Sequence, residues 1–206
     1  MDRPLFIVVE GLDGSGKSTQ IDLLRHQLQG LGQACYLTAE PTDLPTGKFL
    51  RQILSGEITA DMRTVAALFA ADRMEHLFHP TEGLLKKLEE GYHVIASRYY
   101  FSSLAYQSEY ADPAWIAGLN RLAKQTLPAD LTLFLDLAPE VSMERIQSRG
   151  ETTEIYESVE KLSHVRESFR LAFEHFGQNE RIRTIDASGA VAEVADAIWS
   201  EVTVLL

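Results

Sequence analysis

Gly11-Leu12-Asp13-Gly14-Ser15-Gly16-Lys17-Ser18-Thr19 is the stretch whose residue types and spacing amount to chemistry. Gly11, Gly16, Lys17 and Ser18 satisfy the phosphate-binding pattern G-x-x-x-x-G-K-[ST]. Glycines let the backbone curl until successive N–H groups face one anion. Lys17 is then placed to reach the β- and γ-phosphates, and the Ser18 hydroxyl to sit on Mg2+. The plain alternative is a chance glycine-rich turn, and the flanking sequence argues against it. Residues 5–9 are a short apolar run rich in β-branched side chains, as in a buried parallel strand. Ile21, Leu23, Leu24 and Leu28 recur with helical spacing. The loop therefore lies between a strand and a helix N-terminus, where the helix dipole adds positive potential.

A second cation has a defined place. Residues 93–96 read as a strand, and Ser97-Arg98-Tyr99-Tyr100 follows at once. Arg98 is thus expected at a strand's carboxyl end, facing the phosphate loop, where a fixed charge can bind an acceptor phosphate and the moving phosphoryl group. Phe69 and Arg73 are four apart on a helix over 62–79 and share one face. An aromatic ring there can stack on a pyrimidine, and a guanidinium can donate to a base carbonyl; taken alone, the pair reads equally as a core Phe beside a surface Arg. Ser102, Ser103 and Gln107 offer neutral donors and acceptors for a base edge, or else the serines are solvated and Leu104 and Tyr106 are core.

These positions need a scaffold. Strands are expected over 5–9, 34–38, 93–96, 131–137 and 183–185. Helices are expected over 18–31, 49–54, 62–79, 82–90, 102–108, 113–125, 139–148, 157–176 and 191–205, with residues 40–47 a loop by their prolines and turn formers. Strands alternating with helices imply an α/β fold with a parallel sheet and a site at the strands' carboxyl ends. The 206 residues suit one domain, 1–206, and show no repeat or linker. A net charge of −11 argues against a nucleic-acid partner, which would need a basic face. Cys35 is the lone cysteine, so no disulfide or cysteine zinc site is expected. With no signal-peptide pattern and no run approaching the ~20 apolar residues of a span, a soluble cytoplasmic protein is expected, with no membrane partner.

Several longer stretches resemble the thymidylate kinases. They are residues 38–43 (TAEPTD), 68–76 (LFAADRMEH), 97–107 (SRYYFSSLAYQ), 135–140 (LDLAPE), Arg149-Gly150 before a lid-like break, and 165–169 (VRESF). The resemblance runs nearly the whole chain in order. It implies a three-layer P-loop kinase fold with a parallel five-stranded sheet flanked by helices. It implies transfer of phosphate from ATP to dTMP with Mg2+, toward dTTP, and a homodimer. By resemblance Phe69 stacks on thymine, Arg73 donates to its O4, Tyr106 crowds the sugar against a 2′-hydroxyl, and Asp13 serves the metal and the acceptor's 3′-hydroxyl.

The chain departs from that family at three places. Ala39 stands where an Arg often helps clamp the acceptor phosphate, and Ser97 where an Asp usually precedes the strand-end Arg. Neither the loop positions Leu12, Asp13, Gly14 and Ser15 nor the lid-like residues 151–156 carry the family's catalytic Arg. Arg149 is the nearest replacement, with Arg145 one turn back; either is also placed to stack on adenine. With Ser97 uncharged, Asp13 or Glu40 is expected to hold more of the Mg2+ hydration shell, Glu10 being the third carboxylate nearby. Two other functions stay open: a kinase for deoxynucleosides or another monophosphate, and a nucleotide-binding relative without catalysis.

Overall fold

A computed structural model describes residues 3–148 and 158–206. The strands are β1 (Phe6–Gly11), β2 (Cys35–Ala39), β3 (His93–Ser97), β4 (Leu131–Asp136) and β5 (Ile182–Asp186). The first helices are α1 (Lys17–Gly30), α2 (Pro45–Leu54), α3 (Met62–Phe78), α4 (Leu84–Glu89) and α5 (Tyr100–Gln107). After them come α6 (Pro113–Thr126), α7 (Pro139–Ser148), α8 (Val159–Phe176) and α9 (Val191–Thr203).

All strand pairings are parallel, in the order β2-β3-β1-β4-β5. Side chains alternate along a strand, so β1 feeds two cores. Phe6 and Val8 pack with Val94, Ala96 and Phe134, closed by Leu104 of α5, Ile116 of α6 and Phe169 of α8. Ile7 and Val9 pack with Ile95, Leu133 and Leu135, closed by Leu24 and Leu28 of α1 and Ile198 and Val202 of α9. A sheet apolar on both faces needs helices on both, and the result is the expected three-layer α/β architecture. The chain leaves β1 on one side for β2 and β3, then crosses to the other for β4 and β5. The carboxyl end of β1 therefore lies at the reversal, where open α/β sheets bind ligands.

Several boundaries differ from the sequence expectation, among them three helix starts. Residue 45 was expected in a loop, but Pro45 opens α2 at the first helical position, where its missing N–H costs nothing. α5 begins at Tyr100, before residue 102, because a carboxylate from β1 caps its start. The helix expected over 82–90 is shortened to Leu84–Glu89. Among the described residues no helix is long and apolar enough to cross a membrane. The lid-like segment about 149–157, with Arg149, lies outside the described residues.

Candidate active site

The phosphate loop turns between the end of β1 and the start of α1. Gly14 has φ +78°, and a Cβ there would lie 2.6 Å from the Ser142 carbonyl oxygen, so α7 packs flush against the loop. Gly16, the N-cap of α1, has φ +94° and open space around it. No side chain caps α1, which leaves its first N–H groups to an anion. Ser18 and Thr19 are exposed on that first turn. The Ser15 hydroxyl is buried without a hydrogen-bond partner. Lys17 lies inside the curl, its Nζ donating to the carbonyls of Leu12 (2.7 Å) and Gly11 (3.1 Å), and 3.9 Å from Asp13 Oδ1.

Arg98 follows β3 directly and takes φ +73°, a left-handed backbone rare outside glycine. Its Nη1 donates to Ser102 Oγ at 3.2 Å, and its Nη2 to Asp13 Oδ1 and, at 3.0 Å, to the Tyr106 hydroxyl. That hydroxyl donates to Asp13 Oδ2 at 3.1 Å, and the guanidinium lies 4.7 Å from the Tyr106 ring centre. Burial works against the Asp13 charge, but Arg98 and then Lys17 outweigh it and hold the carboxyl down from the ordinary 3.8 to about 2. A depressed carboxylate contributes stability that is present above its unfolded value and lost as pH falls through its folded value. Asp13→Asn should therefore flatten the loss of stability between about pH 4 and pH 2, read by denaturant unfolding across that window. These side chains border an open cleft together with Pro41, Leu54, Phe69, Ser103 and Gln107.

Behind the cleft sits a polar cluster with almost no solvent access. Arg73 and Glu40 are each 1% exposed at the side chain, joined through Nε at 2.9 Å and Nη2 at 2.6 Å to the same Glu40 oxygen. Nη1 donates to Ser103 Oγ at 3.1 Å and to Asn120 Oδ1 of α6. The Tyr99 ring lies beneath, 5.4 Å away. His76 closes the group, bonding Glu40 Oε1 through Nδ1 at 3.0 Å and Thr38 Oγ1 through Nε2 at 2.7 Å. Glu40, expected near the metal, is thus committed to Arg73 and His76. Glu10, also expected near the phosphates, is fully buried and faces the start of α5. Of the five N–H donors of a guanidinium, Arg73 has four committed inside the protein.

A second groove runs along the other side of the loop, between Gly14, Gly16 and Thr19 and the segment before α9 at Ala187 and Gly189, with Arg145 on its wall. Arg145 Nη2 donates to the Ala187 carbonyl at 3.4 Å. The structure therefore brings Asp13, Arg98, Ser102, Ser103, Tyr106, Gln107 and Phe69 to one cleft and residues 14–16, Thr19 and Arg145 to the other. His76 and Asn120 escaped the sequence reading. A histidine near a helix end and an asparagine inside a helix carry no spacing signal.

A phosphate loop with a cleft on each side can pass a phosphoryl group between two small ligands, which places the molecule among the P-loop phosphotransferases. The sequence pattern of a family described as thymidylate kinase matches residues 9–198. The chain is 38% identical over 198 residues to a probable thymidylate kinase of Pyrococcus horikoshii, covering 93% of this chain and 92% of that one. It is 40% identical over 200 residues to a probable thymidylate kinase of Thermococcus gammatolerans (92% and 91%). To a thymidylate kinase of Leptospira borgpetersenii it is 36% identical over 170 residues (82% and 81%). This chain belongs to the thymidylate kinase family.

Proposed function

We propose that the protein is a dTMP kinase, moving the γ-phosphoryl group of ATP to dTMP to give ADP and dTDP. The observation that carries this reading is the pair of clefts meeting at the phosphate loop, with Asp13 on one and Gly14 on the other. ATP lies along the α1 side, its phosphates on the loop N–H groups and Lys17, its base near Arg145. The acceptor lies in the other cleft, thymine against Phe69 and its phosphate toward Arg98. A phosphate oxygen is already ionised near neutral pH, so the acceptor needs no protein base. Arg98 and Lys17 instead neutralise charge on the group in flight. Mg2+ would neutralise the donor phosphates. The exposed Ser18 hydroxyl beside the open Gly16 turn fits that ion, which keeps several waters and takes few protein oxygens. Asp13, with both oxygens engaged, fits its water shell. On the same reading the protein is a homodimer, with the exposed Phe78, Trp115 and Leu122 among the apolar positions a second copy would cover.

ADP release across a panel of nucleosides and monophosphates tests this. With one N–H left to Arg73, a single base carbonyl is the matching partner, so dTMP and dUMP should far exceed dCMP. The cytosine amino group would set donor against donor. A panel led by dCMP or dGMP overturns the base reading. One observation favours a second reading: Ala39 is exposed and pairs in register with Ser97, so the two missing charges are neighbours at the acceptor edge of the sheet. If thymidine is phosphorylated faster than dTMP, the protein is a nucleoside kinase.

A further inference from the structure

Glu10 sits one residue before the end of β1 and is 0% exposed. Its Oε1 accepts the N–H groups of Tyr99 (2.9 Å) and Ser102 (3.2 Å), and its Oε2 accepts the Ser102 hydroxyl at 2.5 Å. A serine hydroxyl has one proton, so Ser102 cannot donate to a base. What remains is a lone pair, and Arg98 Nη1 donates to it at 3.2 Å. α5 has no side-chain cap of its own, and Glu10 supplies one from another strand. The same contacts brace the residues just after Arg98, whose left-handed backbone is otherwise held by its N–H on the Val9 carbonyl at 3.0 Å.

We propose that Glu10 is a positioning residue for phosphoryl transfer, acting through Ser102 to fix the rotation of the Arg98 guanidinium. Asp13 and Tyr106 hold the Nη2 side of that fork, and the Glu10–Ser102 pair holds the Nη1 side. An unfixed Arg98 would present its charge over several rotamers, and a misplacement near 1 Å in such a group costs about 10²-fold in rate. Burial, the largest influence on Glu10, pushes its carboxyl up, while Ser102, Arg98 and Tyr99 favour the charged form. Three donors converge on it, so the ionised form is the one the geometry serves. The proposal rests on Arg98 being the cation directed at phosphate.

The test is steady-state kinetics with ATP and dTMP on Glu10→Gln, Ser102→Ala, the double variant, Ser102→Thr and Arg98→Ala. Glu10→Gln keeps the shape but turns an N–H2 toward N–H and O–H donors. Glu10→Gln and Ser102→Ala should each lower kcat/KM for dTMP about 10- to 100-fold, the scale for losing a group that orients another, with the KM for ATP unchanged. The double variant should be no worse than the stronger single, because both cut one chain of contacts. Ser102→Thr should recover most of the Ser102→Ala loss, as it restores the hydroxyl. Should Glu10→Gln fail to fold, Ser102→Ala and Ser102→Thr decide alone. Ser102→Ala at parental activity, or losses that multiply in the double variant, overturns the relay. Parental activity in Arg98→Ala overturns instead the role of Arg98, and with it the site reading on which the relay stands.

Discussion

Lys17→Ala is expected to reduce phosphoryl transfer by at least about 10²- to 10³-fold, the cost of deleting one donor aimed at charge developing in the transition state. Lys17 is 8% exposed and bound to its own loop, so its charge is already inside the curl where phosphates would lie. Moving Nζ from two carbonyls to phosphate oxygens exchanges neutral acceptors for charged ones, which form stronger hydrogen bonds. The fold should survive, because the two hydrogen bonds to loop carbonyls are worth about 1 kcal/mol each and Asp13, 3.9 Å from Lys17, keeps Arg98 as its closer partner. Turnover and the thermal midpoint, measured on the same preparation, separate the two effects. Turnover close to the parent would remove the phosphate-loop assignment.

Glu40→Ala should act in the opposite way, on stability first. It strips Arg73 of the carboxylate that takes both its Nε and Nη2, and His76 of its Nδ1 partner, at sites 1% and 2% exposed. Breaking a buried pair from one side leaves an uncompensated charge, which costs about 3–5 kcal/mol. Against a typical total of about 5–15 kcal/mol, that is a large fraction. Urea unfolding reads it directly. Arg73→Leu in the same background should restore part of the loss, since the orphaned charge then goes too. Additive losses in the double variant would show that the pair is not what holds this cluster.

The parts of the molecule visible in the sequence are those whose constraints are local. The loop from Gly11 to Thr19 is contiguous, and its glycines answer to backbone conformations set within the loop. The strands were legible as apolar runs because a doubly covered sheet leaves no polar face to interrupt them. Arg98 could be placed because it follows a strand without a gap. The buried cluster was not legible. Glu10 and Tyr99 lie 89 residues apart, Arg73 and Asn120 47, and Glu40 and His76 36. Nothing in a serine's neighbours shows that its proton is spent on a distant carboxylate, and nothing in Phe69…Arg73 shows that the arginine is nearly all enclosed. Those facts belong to packing, which brings distant polar groups together only once the layers have closed.

The backbone of Arg98 bears on how mutational surveys of this protein should be read. At φ +73° glycine fits without strain and asparagine with little, whereas a long side chain is disfavoured. On the role proposed for Arg98, function asks for a residue that the local conformation resists, and the two demands share no amino acid. A survey scored by abundance or melting temperature would rank Arg98→Gly and Arg98→Asn above other replacements, the relieved backbone offsetting part of the lost pair with Asp13. Scored by turnover, it would grade the same position among the least replaceable in the chain. Such a divergence between the two maps is a signature of selection acting against fold preference, and it would be sharpest one residue beyond the end of β3.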